Sequence, residues 1–102
     1  MRLTQIRDFL AVVDAGSINA AARRLGVSQP GLTKSLGSLE EELGASLLKR
    51  SPTGVTLTAF GRLFHVRVRA GYAELAKAQE EVAREAKAQV ALGFGPFFAA
   101  QV

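Results

Sequence analysis

Residues 17–44 read SINAAARRLGVSQPGLTKSLGSLEEELG, and this stretch decides the fold. It divides into two helices around a tight break. Ser17 is placed to cap the first, because its hydroxyl can accept from a free backbone N–H. Ile18, Ala21, Ala22 and Leu25 follow at helical spacing. Gly26 stands just past the last apolar position, where a left-handed residue ends a helix. Ser28 caps the second helix, and Pro30 falls in its first turn, where a missing N–H costs nothing. Leu32, Leu36, Leu39 and Leu43 line one face, and Gly44 ends it.

Two capped helices with a three-residue turn form a helix-turn-helix pattern. Ala20, Ala21 and Ala22 are small enough for a crossing helix to approach closely. The face of the second helix opposite its leucines carries Gln29, Thr33, Lys34 and Ser38 and no large apolar residue. Such a face suits the donors and acceptors of a DNA major groove. An ordinary helical hairpin with a solvated polar face is the alternative.

Upstream, Thr4 to Ala15 reads as a helix that backs the pair, with Ile6, Phe9, Leu10 and Val13 on one buried face and Gly16 at its end. Downstream the period changes. Ala45 to Arg50 holds Leu47, Leu48, Lys49 and Arg50. Ser51-Pro52-Thr53-Gly54 is turn chemistry, and Val55-Thr56-Leu57 is short and partly β-branched. This predicts a two-stranded hairpin, the wing of a winged helix; an irregular loop is the alternative, since two short strands alone are marginal.

Thr58 can cap a long last helix running to about Lys87. Phe64, Val68, Tyr72, Leu75, Gln79, Val82 and Ala86 recur at steps of three and four, close to a heptad seam with one stutter. About 30 residues make a rod of roughly 45 Å, more than one small domain can cover. A second copy of the chain is the simplest partner for this seam; missing parts of the same protein are the other. Val90 to Val102 is apolar, glycine-rich and aperiodic, and reads as the first strand of a further, truncated domain.

At 102 residues and a net charge of +4, the chain supports one small core and permits an anionic partner. It has no cysteine and one histidine, which excludes disulfides and leaves a zinc site without ligands. A reducing, cytoplasmic setting fits. No spanning helix and no signal peptide are expected. Glu40, Glu41 and Glu42 point in three directions on a helix and cannot act as an acid/base pair; Glu40 suits a structural ion pair. Arg23-Arg24 suits phosphate contact or plain solvation. His65 reads as packing or surface rather than a ligand. Enzyme activity is not expected, and no metal or cofactor site is evident in this segment.

The chain resembles the N-terminal DNA-binding region of the LysR-type transcriptional regulators of bacteria over residues 1 to about 88. The resemblance rests on Leu3, Phe9, Gly16-Ser17, Ala21-Ala22, Leu25, Ser28-Gln29-Pro30, Leu39-Glu40, Leu43-Gly44, Arg50, Leu57-Thr58 and Gly61. It implies a mainly α fold: a winged helix-turn-helix of three helices and a hairpin over 1–57, a linker helix over 58–88 that pairs antiparallel with its twin, and an effector-sensing domain starting within 89–102. It implies that Ser28, Gln29 and Pro30 open the recognition helix at the groove, with Thr33 and Lys34 following and Arg50 as the basic wing position; Ser38, on the same polar face, and Thr53, at the wing tip, complete the candidate DNA contacts. Double-stranded DNA is the implied partner. The implied homodimer runs through Phe64, Val68, Tyr72, Leu75, Gln79 and Val82, with room for a tetramer and for RNA polymerase in the full-length protein and no role for a membrane. A small-molecule effector is expected for the C-terminal domain. The chain departs from the family pattern at Gly31, where alanine is usual, at Gly37, a second glycine in the same helix, and at Thr53, a wing-tip position often held by arginine. Without DNA binding, the same helices would serve as a dimerisation or adaptor module.

Overall fold

The computed structural model describes residues 1–93. Its elements in order are α1 (Leu3–Ala15), α2 (Ile18–Leu25), α3 (Gln29–Leu43), β1 (Leu48–Ser51), β2 (Gly54–Leu57) and α4 (Ala59–Ala91). The chain falls into two units that divide between Ala70 and Gly71. The first holds the helix-turn-helix, the hairpin and the opening turns of α4. Its core is Phe9, Val12, Ala21, Leu32, Leu36, Leu39 and Leu47.

The caps expected for α2 and α3 are formed. Ser17 Oγ accepts from Ala20 N–H and Ser28 Oγ from Gly31 N–H, each at 3.1 Å. Gly26 and Gly44 end the two helices in the left-handed region. Leu43 departs from expectation. It is 42% exposed, because it borders an open apolar cleft with Ala45, Leu47, Phe60 and Leu63 rather than facing the core.

Helix α1 is rotated from the expected face. Its buried residues are Gln5, Asp8, Phe9, Leu10 and Val12, while Ile6 and Val13 are half-buried. The rotation puts two polar residues inside, and each is partnered, which removes most of the cost of burial. Asp8 Oδ2 accepts from Ser35 Oγ of α3 at 2.7 Å, and its Oδ1 accepts from Arg7 at 2.8 Å. Gln5 Oε1 accepts from Arg2 N–H at 2.7 Å.

The hairpin forms with Leu48 opposite Leu57, Arg50 opposite Val55 and Ser51 opposite Gly54, leaving Pro52 and Thr53 as the loop. It is tied to the α1–α2 turn, where Val55 N–H donates to Gly16 O at 2.9 Å. A Cβ on Gly54 would press on that same carbonyl, and its φ of +135° favours glycine independently.

Thr58 caps α4 as expected: its Oγ1 accepts from Gly61 N–H at 2.9 Å and donates to Ser46 O at 2.6 Å. Phe64 then turns inward, with its ring edge-on to Phe9 at 5.3 Å. In the second unit α4 is mostly exposed, Leu75 and Val82 included. The helix continues past the expected end near Lys87, so Val90 and Ala91 are helical rather than the start of a strand. Nothing in Ala88–Ala91 breaks a helix, and Gly93, at φ +86°, is the first left-handed residue after α4 begins. The rest of the expected strand, 94–102, lies outside the described residues.

Two glycines should respond oppositely to alanine. Gly61 is buried, and a Cβ there would overlap the Leu47 carbonyl, which is backbone and cannot swing aside. Gly61→Ala should therefore destabilise the chain by about 1–3 kcal/mol. A Cβ on Gly37 meets nothing, so Gly37→Ala should stabilise α3 by about 0.5–1 kcal/mol. Urea unfolding followed by circular dichroism measures both.

Candidate nucleic-acid interface

Burial of Leu32, Leu36 and Leu39 sends the polar residues of α3 outward. They do not form one patch. Gln29 and Thr33, one turn apart, line a cleft of about 300 Å³ between α3 and the hairpin. Arg50, Thr53 and the α2 residues Ser17 and Asn19 complete its walls. Lys34 and Ser38 lie on the other flank of α3, in a second cleft of about 280 Å³ with Arg2, Thr4 and Ser35. Ser28 and Pro30 are exposed at the helix start and line neither cleft. The Ser28 hydroxyl is already engaged as the cap of α3.

Strand alternation gives the hairpin its polarity. Leu48 and Arg50 share one face. Leu48 is buried at the inner end, and Arg50 borders the cleft with Gln29. Lys49, on the opposite face, is exposed and does not line that cleft. Thr53 sits in the two-residue loop, its hydroxyl 2.9 Å from Ser51 Oγ, and brings no charge to the tip. Cationic side chains thus stand on both sides of α3, Arg50 on one and Lys34 with Arg2 on the other, while α3 itself offers amide and hydroxyl groups between them.

Arg2, Thr4, Ser17 and Asn19 are additions that the sequence reading did not supply. Asn19 had a usable signal: in α2 the residues Ile18, Ala21 and Ala22 are buried, so Asn19 must face outward. Arg2 and Thr4 had none, because the crossing of α1 over α3 brings them to Lys34.

The acidic residues are used structurally. Glu40 makes no ion pair among the described residues, contrary to expectation. Its Oε2 accepts from Leu47 N–H at 2.6 Å and Leu48 N–H at 3.3 Å, because α3 ends directly over the root of β1 and free amides lie nearer than any cation. Glu42 meets the ammonium of Met1 at 2.9 Å, and that hydrogen bond holds its carboxyl below the usual range. Asp14 is lowered by its hydrogen bond from Arg69, which also lies 3.0 Å from His65 Nε2. His65 packs against Phe9. Arg23 and Arg24 are exposed on the last turn of α2 and line neither cleft. Among the described residues no group of His, Cys, Asp and Glu could hold a metal ion. No described helix is long and apolar enough to cross a membrane.

A family model described as the bacterial regulatory helix-turn-helix protein, lysR family, matches residues 3–62. The regulator ClcR of Pseudomonas putida is 48% identical over 64 residues, 63% of this chain and 22% of that protein. The nitrogen assimilation regulatory protein nac of Escherichia coli K12 is 35% identical over 103 residues, 98% of this chain and 34% of that protein. The chain therefore spans a minor part of the curated relatives it matches. The crystal structure of the CbnR DNA-binding domain with DNA superposes with TM-score 0.74 at 42% identity, covering 85% of this chain and 99% of that one. The BenM DNA-binding domain with catB site 1 DNA gives TM-score 0.79 at 34% identity, covering 84% of this chain and 97% of that one.

Proposed function

The chain belongs to the lysR family of bacterial regulatory helix-turn-helix proteins, and on that premise we propose that it is the sequence-specific DNA-binding part of a transcriptional regulator. One observation carries the reading: exposed Gln29 and half-buried Thr33, on the first turns of α3, share a cleft with Arg50 of the hairpin. A helix laid in the major groove by its first turns would put the Gln29 amide and the Thr33 hydroxyl and methyl at base edges. Arg50 would then reach the flanking backbone. The relatives solved with DNA support this docking, since they are DNA-binding domains of the same fold. No observation favours an adaptor role.

Within this reading Lys34 and Arg2 neutralise phosphates on the other flank of α3, and Ser38 adds a hydroxyl there. Ser28 and Pro30 shape the start of the helix. Thr53 lacks the charge that draws arginine into a narrow minor groove, so the hairpin acts through Arg50. Assembly is by a second copy along α4, through Val68, Tyr72, Leu75, Gln79 and Val82, with half-buried Phe64 packed on Phe9 instead. A bacterial regulator that binds DNA would work in the cytoplasm. A C-terminal domain that takes a small-molecule effector, a tetramer and contact with RNA polymerase belong to the whole regulator.

Three outcomes are expected on a duplex selected from a random library. Gln29→Ala should cost about 1–3 kcal/mol on the selected duplex and relax preference at one position per half-site; equal weakening on all sequences would remove Gln29 as a reader. Arg50→Ala should weaken binding on all duplexes alike and reduce the salt slope by roughly 0.9 per chain. An unchanged slope would take Arg50 out of the interface. Leu75→Glu should shift the chain toward monomer in light scattering and lower affinity for a two-half-site duplex. The shift should persist in a chain ending at Lys87, which removes the apolar tail.

A further inference from the structure

We propose that Glu40 is a positioning residue for DNA binding: its carboxylate fixes the root of β1 and so sets where Arg50 stands relative to Gln29 and Thr33. The inference rests on the DNA-binding reading above.

A single oxygen of Glu40 gathers the segment before the hairpin. Oε2 accepts from Leu47 N–H at 2.6 Å, from Leu48 N–H at 3.3 Å and from Ser46 Oγ at 3.3 Å. Bonds from amides to an ionised carboxylate are the strong kind. Leu48 is the first residue of β1, and Arg50 follows two residues on, roughly 6.6 Å along the strand and on the same face. A small rotation of the strand at Leu48 therefore displaces the guanidinium.

The hairpin cannot resist that rotation by itself. Strands of four residues in a two-stranded sheet are marginal alone. Other ties hold neighbouring parts: Val55 N–H on Gly16 O steadies β2, and Thr58 joins the start of α4 to the same segment through its N–H on Leu47 O at 3.0 Å and its Oγ1 on Ser46 O at 2.6 Å. Glu40 differs from both in coming from α3, the helix that carries Gln29 and Thr33. It is the direct link between the base-reading helix and the strand that bears the phosphate contact.

Charge gives the proposal a sign. A carboxylate beside a DNA-binding surface repels the ligand, so its removal should tighten binding if electrostatics were all that mattered. A positioning role predicts the reverse.

The test uses the 102-residue chain, a labelled duplex selected from a random library, and Glu40→Gln, which keeps size and removes charge. Helix content by circular dichroism should stay at the wild-type level. Affinity should fall about tenfold, with a salt slope reduced toward that of Arg50→Ala. In the Arg50→Ala background the same change should cost less than about twofold, whereas in Gln29→Ala the losses should multiply. Binding equal to or tighter than wild type, or a full further loss in Arg50→Ala, overturns the proposal. Amide hydrogen exchange reads the anchor without DNA. Protection at Leu47 and Leu48 should fall in Glu40→Gln while the amides of α3 keep theirs; unchanged protection also overturns it. If the wild-type chain binds no duplex, the DNA reading fails, and the exchange result alone decides whether Glu40 anchors the hairpin.

Discussion

Leu32, Leu36 and Leu39 are buried, and their burial sets the rotation of α3 about its own axis. Side chains on a helix advance by about 100° per residue, so fixing these three fixes all the others. Gln29 and Thr33 are turned toward the hairpin, and Lys34 and Ser38 toward the start of α1. The small residues Ala21 and Ala22 of α2 are buried within the same core and let the helices close up. The bond from Ser35 to buried Asp8 adds a directional constraint that leucines alone cannot supply. An apolar interface tolerates some sliding, whereas a hydrogen bond to a buried carboxylate has a cost once it is broken.

The hairpin illustrates the opposite condition. It has little core of its own, with Leu48 buried and Leu57 half-buried at its inner end. Its order comes from backbone groups satisfied by neighbours: Val55 by the carbonyl of Gly16, Leu47 and Leu48 by Glu40, and the Leu47 carbonyl by Thr58. Gly54 and Gly61 matter because such bonds need backbones to come close, and a side chain at either position would hold them apart. The tip, Pro52 and Thr53, is exposed.

Local chemistry explains what could be read from the sequence. Ser17, Gly26, Ser28, Pro30 and Gly44 act on their own neighbours, so the bounds of α2 and α3 follow from them directly. Thr58 and the Pro52–Gly54 turn are local in the same way. The phase of α1 was not legible, because Asp8 and Gln5 look like surface residues until Ser35 and Arg2 are placed beside them. Glu40 was misassigned for a related reason: a carboxylate suggests a cation, but its nearest donors are main-chain amides several residues ahead. The candidate site was legible along α3 and at Arg50. Its edges at Arg2, Thr4 and Asn19 depend on how elements cross.

Helix α4 has two characters that follow from what its side chains meet. Up to Ala70, Phe64 packs on Phe9, and Arg69 pairs with Asp14 at 2.5 Å. The latter bond is half-exposed and solvent-screened, so packing rather than charge holds this part of the helix. Beyond Gly71 the described residues offer one ion pair, Lys77 with Glu74 at 3.9 Å, too long and too exposed to stabilise a helix much. Leu75 is 53% and Val82 is 69% exposed. A helix takes most of its stability in a protein from burying one face, and this segment has an apolar stripe with nothing described against it. Its leucine and valine would be a liability on a free surface. Against another helix they become the contact that keeps the segment helical, so order in this part of α4 and association with a partner are expected to rise together.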